Sequence, residues 1–212
     1  LHPRVRRQRQ MCIRDSTMVF GASATVMAQS KALQKDVKKR VKELKKEGWT
    51  MLGSTTTMDY AVLKYRTYIE GDEDNRIELI GIAVGANPKI GRENAVMTGI
   101  ANYAARAKAQ VVGKVKSLMS SDASKVSDEE IDKFGAAYES GVNTKIAGLV
   151  KQHFVLVRDK DGKKEFNAFM SIDETAAKKA REEAAKEARR KAAVEDLSEE
   201  VDKFIGEPVE EN

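Results

Sequence analysis

Three glycines flank the junction between an apolar segment and the long helix expected after it, which is where a phosphate-binding loop would lie. Gly81, Gly85 and Gly91 do not form the G-x-G-x-x-G spacing, and the chain contains no Gly-Lys-Ser/Thr sequence. The spacing matters because backbone N–H groups at a helix N-terminus must come close to the phosphate. Glycines at a strand-to-helix turn are common for steric reasons, so we predict no nucleotide or other cofactor.

Histidine and cysteine occur at only three positions, which removes most metal and nucleophile chemistry. His2 and Cys12 lie within the first sixteen residues, and His153 begins an apolar segment. A lone histidine cannot form a His-pair metal site, and no G-x-S-x-G nucleophile motif is present. The acidic turn at residues 71–75 lacks the D-x-D-x-D-G calcium pattern. We predict no catalytic residue and no metal site, and interpret the chain as a protein that is not an enzyme.

Aromatic and alanine side chains indicate a different function, which is binding another protein. Trp49 and Tyr65 belong to a set of aromatic residues that could line a groove, with core packing as the other interpretation. Ala184, Ala188 and Ala192 recur every four residues on one seam of a helix. Such a seam suits close packing on the rest of the chain or on a partner helix. We predict an interaction surface at these five residues.

The apolar spacing predicts an α+β fold that must position these residues. We expect helices over residues 30–47, 58–70, 90–119 and 127–150, and extended segments over 49–52, 77–85, 154–157 and 166–172. Asp161-Gly162 lies between two alternating apolar runs and predicts a hairpin turn. The prediction is therefore a small antiparallel sheet packed by two or more helices, with residues 29–172 as one α+β domain.

A long helix rich in Ala, Glu, Lys and Arg is predicted after the sheet. It runs over residues 173–206, contains no proline before Pro208, and begins at Asp173 as an N-cap. A straight helix of about 32 residues would be about 48 Å long. We expect the acidic tail at residues 207–212 to be disordered.

The first sixteen residues do not have the pattern of a folded segment. They contain five arginines, one acid and almost no apolar periodicity, and the stretch MCIRDS resembles translated sequencing-adapter read-through. We interpret residues 1–16 as an artefact. The alternative is a basic arm that binds nucleic acid or another anionic surface.

The next segment is typical of the end of a secretory signal. Residues 17–28, TMVFGASATVMA, are apolar and small, and Val26 and Ala28 fit the −3 and −1 positions of a signal-peptidase site. Twelve residues are too few to span a bilayer. We expect no lipid anchor, because no cysteine follows the cut, and a buried N-terminal helix is the alternative. The prediction is a periplasmic, outer-membrane-associated or secreted protein.

Removing residues 1–28 changes the charge of the chain. The full sequence has 38 basic and 33 acidic side chains, and the remainder has 33 and 32, a net charge of +1. The lysine-rich helix at residues 31–46 nevertheless favours a second interpretation, in which the chain binds nucleic acid. A third is an envelope hydrolase that uses carboxylates, although no pair of acids stands out.

Several segments resemble known secreted proteins of the bacterial envelope. The segments are Lys46–Trp49, the strand at Gly81–Gly85, the helix A-N-Y-A-A-R-A at 101–107 followed by Gly113-Lys114-Val115, and Met170–Asp173. They are similar to uncharacterised secreted proteins of Gram-negative gut bacteria and to the outer-membrane-associated twenty-kilodalton lipoprotein superfamily. The resemblance implies a helix-on-sheet domain in the envelope and carries no catalytic residue. This chain departs from the lipoproteins by lacking their lipid-accepting cysteine.

These observations predict a non-catalytic envelope protein with a structural or protein-interaction role. Its partner would be another envelope protein or a second copy of the chain.

Overall fold

The structure is a computed structural model that describes residues 19–119, 127–192 and 198–209. Its elements are α1 (Val19–Lys46), β1 (Thr50–Met51), α2 (Met58–Glu70), β2 (Arg76–Gly85), α3 (Pro88–Met119), α4 (Asp128–Ile146), β3 (Lys151–Lys160), β4 (Lys163–Asp173), α5 (Glu174–Ala192) and α6 (Ser198–Ile205). The predicted artefact at residues 1–16 lies outside the described residues. Most of the signal-like segment continues into α1 without a break.

The four strands form one antiparallel sheet in the order β1-β3-β4-β2, which confirms the predicted α+β fold. β3 and β4 form the predicted hairpin, and its two turn residues, Asp161 and Gly162, have φ values of 52° and 76°. A two-residue hairpin turn of this kind needs positive φ at both positions, which explains Asp-Gly there. A bulge at His153 interrupts the β3–β4 register.

Capping side chains set the starts of two helices where the sequence predicts them. The Thr57 hydroxyl accepts a hydrogen bond from the Tyr60 N–H at the start of α2. At the start of α4, Ser127 and Glu130 form a reciprocal capping box. α4 ends at Ile146, four residues before the predicted end, and β3 begins at Lys151. The chain needs the intervening residues to turn from the helix into the sheet.

Helices cover the two faces of the sheet unequally. α3 to α6 pack on the face that carries Leu79, Phe166 and Met170. α1 and α2 pack on the other face, over Phe154, Leu156 and Phe169. Helices α1 and α2 reach β3 and β4 but leave part of β2 uncovered.

The C-terminal helix is present as α5, which ends at Ala192, and a separate helix, α6, packs beside it through the Arg189–Asp202 ion pair. Val201 and Ile205 of α6 are buried against the core. A straight helix that continued to residue 205 would carry both side chains away from the core, so their burial favours a separate α6. Part of the predicted disordered tail is also packed, since Val209 is only 6% exposed.

A buried guanidinium ties α5 to residues 205–207. The Arg181 side chain is 1% exposed and donates to the Glu174 carboxylate at 2.6 and 3.2 Å. It also donates to the Tyr103 hydroxyl and to the carbonyl oxygens of Ile205 and Glu207. A buried charge is tolerated only with partners of this kind, so the network fixes residues 205–207 in place.

Candidate functional site

The two aromatic residues predicted to form an interaction surface are used inside the chain. Trp49 is 6% exposed and Tyr65 is 2% exposed. The Arg158 guanidinium lies over the Trp49 ring at 4.4 Å, and the Tyr65 hydroxyl donates to the Met170 carbonyl at 3.0 Å. Both rings fill the space between α1, α2 and the sheet. Trp49 and Tyr65 therefore belong to the core and not to an exposed interaction surface.

The alanine seam is also an internal contact. Ala184 and Ala188 are fully buried, and Ala192 is half-buried. A side-chain carbon at Gly141 of α4 would lie 3.0 Å from the Ala184 Cβ. The seam thus lets α5 approach α4 closely, which is the first of the two alternatives, packing on the rest of the chain.

His153 lies in a small pocket at the β1 side of the sheet. Its Nε2 is 2.7 Å from the Ser171 hydroxyl, and its ring packs against Tyr65 and Tyr68. Burial, followed by the charges of Lys151 and Lys64, lowers the His153 pKa to about 4. The imidazole is therefore neutral at pH 7. Ser171 is only 1% exposed, so its hydroxyl is not accessible to a substrate, whereas His153 is half-buried and lines the pocket.

Neighbouring side chains stabilise the charged form of several described carboxylates. Four of them have a shifted pKa, and all four shifts are downward: Asp59, Glu130, Glu165 and Glu187. At Glu165, burial raises the pKa, but hydrogen bonding and charge from Arg158 outweigh it. The other three accept hydrogen bonds from a lysine or from the Ser127 cap. A general acid needs a raised pKa, and none of these four has one.

Residues 19–119, 127–192 and 198–209 contain neither a metal-binding cluster nor a membrane-spanning helix. No group of three or more His, Cys, Asp or Glu side chains there could hold a metal ion. No helix in that part of the chain is long and apolar enough to cross a membrane.

The outer edge of β2 is the most distinctive exposed feature. β2 is ten residues long and pairs with β4 in one uninterrupted register from Arg76 to Gly85. Among the described residues, β2 pairs with no other strand, so the backbone groups on its other side are open. Residues 79–85, LIGIAVG, contain no charged side chain. Natural edge strands usually carry charges, prolines or bulges that block pairing.

Three apolar side chains of β2 point to the face that α1 and α2 leave uncovered. Ile80 is 39% exposed, Ile82 is 49% exposed and Val84 is 52% exposed. Ile80 also lines a groove of about 350 Å³ between β2, α1 and α2. The floor of this groove includes Phe154 and Phe169, and charged residues such as Arg40 form its rim. An apolar floor with a polar rim is typical of a binding surface.

α3 presents an uncharged flank beside the same edge. Arg92 on α3 donates to Gln152 on β3, so that side of the helix faces β3. The 3.6-residue repeat places Ala101 opposite Arg92, with Thr98 and Ala105 between it and the sheet. This flank therefore faces the open side of β2. We define the open-edge surface as the β2 residues Ile80, Ile82 and Val84 with the α3 residues Asn94, Thr98, Ala101, Asn102 and Ala105.

The lysine-rich part of α1 forms a separate exposed surface. Val37, Val41 and Leu44 are buried against α2 and the sheet. Lys45 pairs with Asp59 at 2.8 Å. Six other lysines form no ion pair with the residues that the structure describes: Lys31, Lys35, Lys38, Lys39, Lys42 and Lys46. This lysine row is about 22 Å long at 1.5 Å per residue.

Sequence reasoning identified β2 as a strand but missed its role as an open edge. The available signal was the lack of charge between Leu79 and Gly85 in a chain with 33% charged residues. Such a run is normally read as a strand buried on both faces, whereas one face of β2 is exposed.

Comparison with protein-family models, with curated proteins and with solved structures finds no match to this chain.

Proposed function

We propose that this chain is a non-catalytic protein of the cell envelope that acts by binding another protein through the open-edge surface. The observation that carries the proposal is the combination of a ten-residue edge strand, uncharged over residues 79–85, with exposed Ile80, Ile82 and Val84. Continuous uncharged surface is rare on a chain as highly charged as this one, and exposed patches of this kind mark interaction sites.

The proposed location rests on the N-terminal sequence. Residues 17–28 are apolar and end in Val26-Met27-Ala28, which fits a signal-peptidase site. The resemblance to secreted envelope proteins supports the same compartment. We therefore place the protein in the periplasm, at the outer membrane or outside the cell.

Fractionation and crosslinking in living cells test this proposal together. Mass spectrometry should find an N-terminus at Gln29 in the envelope fraction. A photo-crosslinking residue at Ile82 or Val84 should capture the same identified protein, whereas one at Tyr60, which is 58% exposed, should not. A cytosolic protein that starts before Val19 would contradict the location. Equal capture from all three positions would contradict the binding surface.

A second candidate function is nucleic-acid binding through the lysine row. The favouring observation is that these six lysines have no ion pair among the described residues, so their charge is available to phosphates. The test measures duplex DNA and RNA binding by the full chain with the five arginines of residues 1–16 changed to serine. Lys35→Glu with Lys42→Glu should abolish binding that falls steeply with salt, and Lys186→Glu on α5 is the control. No binding at low salt would remove this candidate.

A further inference from the structure

We infer that the partner of the open-edge surface is a second copy of this chain, with β2 pairing antiparallel to β2 around a two-fold axis through Gly81. The inference rests on the proposed function, because it identifies the partner for the same surface. The paired sheet would have eight strands, and α3 of one copy would lie beside α3 of the other.

The backbone of β2 is suited to this pairing. The ladder to β4 has no bulge between Arg76 and Gly85, and the strand contains no proline. Its outer N–H and C=O groups therefore form a regular row that can pair with another strand. Since the outer side pairs with no described backbone, pairing with a second copy displaces no strand that the structure describes.

The side chains of β2 are complementary to their own two-fold image. In the register centred on Gly81, Ile80 of each copy lies opposite Ile82 of the other. Leu79 lies opposite Ala83 on the face covered by α3, and Glu78 lies opposite Val84. Apolar cross-strand pairs stabilise a sheet, whereas directly opposed like charges destabilise it. This register pairs the isoleucines and keeps the two Glu78 carboxylates apart.

The position of α3 fits the same arrangement. Gly81 on β2 and Met170 on β4 both contact α3 at Gly99, so α3 straddles these two strands. With strands about 4.8 Å apart, the α3 axes of two paired copies would be about 10 Å apart. Packed helices are usually separated by 8–10 Å. The flank that would meet its copy carries Thr98, Ala101 and Ala105, which are small and uncharged.

The size and symmetry of the contact indicate a modest, closed dimer. Nine paired residues span about 30 Å, and the helix and sheet layers together are about 20 Å thick, so each copy buries roughly 600 Å². This is the lower end of the range for stable interfaces. The opposite edge strand, β1, has only two residues, so the sheet cannot extend further from that side. We therefore expect a two-fold dimer with a dissociation constant in the micromolar range.

Sedimentation equilibrium of the full chain between about 1 and 200 μM tests the inference. The wild-type chain should reach twice its monomer mass of 23.5 kDa. Thr98→Glu places one carboxylate from each copy near the two-fold axis. Ile82→Lys places one cation from each copy among the paired isoleucines. Each should raise the dissociation constant at least about tenfold, because like charges across an interface are unfavourable. Tyr60→Glu is the matched control, since Tyr60 is 58% exposed on α2 and belongs to neither β2 nor α3.

Hydrogen exchange tests whether the β2 part and the α3 part of the contact depend on each other. Outward amides of β2 should be protected at high concentration and lose that protection in Thr98→Glu, although this substitution lies on α3. A wild-type monomer at 200 μM would overturn the inference, as would a dimer that Thr98→Glu and Ile82→Lys leave unchanged. Neither result would contradict the proposed function if crosslinking in cells captures a different protein at Ile82. If sedimentation shows no dimer and crosslinking in cells captures no protein at Ile82, the inference and the proposed function are both overturned.

Discussion

The two edges of the sheet differ in how much backbone they leave available for pairing with another strand. β1, at one edge, has two residues, and the side chains around it, such as Trp49 and Arg158, pack onto one another. β2, at the other edge, has ten residues and exposes three apolar side chains on one face. A very short edge strand offers little backbone for pairing, whereas a long and regular one that is uncharged over residues 79–85 offers much.

The difference shows that the chain protects one edge and leaves the other available. The charged residues of the protected edge are engaged locally, because Arg158 pairs with Glu165 at 2.6 Å and with Glu47 at 3.6 Å. No comparable charges occur between Leu79 and Gly85. Substitutions at the two edges should therefore have different consequences, for stability at the β1 edge and for association at the β2 edge.

The largest effect on stability is expected at the protected edge. Trp49→Ala removes a ring that is 94% buried between α1, α2 and β3 and leaves a cavity. We expect the free energy of unfolding to fall by about 3–4 kcal/mol. Urea unfolding followed by circular dichroism measures this, because Trp49 is the sole tryptophan and its fluorescence is lost. Tyr60→Ala, at an exposed ring, should cost much less, and equal losses would contradict a core role for Trp49.

The next largest effect is expected where α3 rests on the open edge. A side-chain carbon at Gly81 would overlap the Ala95 carbonyl oxygen and the Gly99 backbone. Gly81→Ala should therefore push α3 away from β2 and cost about 2–3 kcal/mol. It should also weaken self-association, since it changes the position of α3.

Gly85→Ala is the matched control in the same strand. A side-chain carbon there would meet only the Gly91 Cα at 3.9 Å, an ordinary contact. We expect a change below about 0.5 kcal/mol. If thermal unfolding showed the same loss for both variants, close approach of α3 at Gly81 would not be the cause.

A pH effect of intermediate size is expected at the protected edge. The folded chain holds the His153 pKa at about 4, below the value of about 6.5 in an unfolded chain. Between these values the unfolded chain binds a proton that the folded chain does not, so stability falls as the pH decreases from 6.5 to 4. Allowing for solvent screening, we expect a loss of about 1–2 kcal/mol. The measurement is the difference between wild type and His153→Gln across this range, and parallel curves would contradict it.

The smallest effect is expected from the one side-chain hydrogen bond that β1 makes to β3. The Thr50 hydroxyl donates to the Val157 carbonyl at 3.1 Å in an exposed position. Thr50→Ala should cost about 0.5 kcal/mol and leave the sedimentation behaviour unchanged. A shift in self-association from this variant would show that the two edges are not independent.

Local chemistry explains how much of this fold the sequence predicts. Thr57, Ser127 and Asp161-Gly162 act through neighbouring backbone atoms, so their positions predict two helix starts and a turn. The end of α5 at Ala192 was missed because residues 193–197 have a helix-like composition, whereas the burial of Val201 and Ile205 is a tertiary contact.

The burial of the residues predicted to form an interaction surface could not be read from the sequence for a related reason. Residue type indicates that Trp49 and Ala184 pack closely against something, but it does not say whether the contact is internal. Conversely, Ile80 and Ile82 have the pattern of buried strand residues. Their exposure depends on where α1 crosses the sheet, which is a tertiary property.

The Arg181 network has a consequence for synthesis of the chain. The guanidinium on α5 needs the carbonyl oxygens of Ile205 and Glu207, which a ribosome adds more than twenty residues later. Until those residues emerge, the side chain cannot be buried with its full set of acceptors, and the cation must stay hydrated. The core can therefore close only after the C-terminal segment has been made, so a prematurely terminated chain would be left incompletely packed and exposed to proteases.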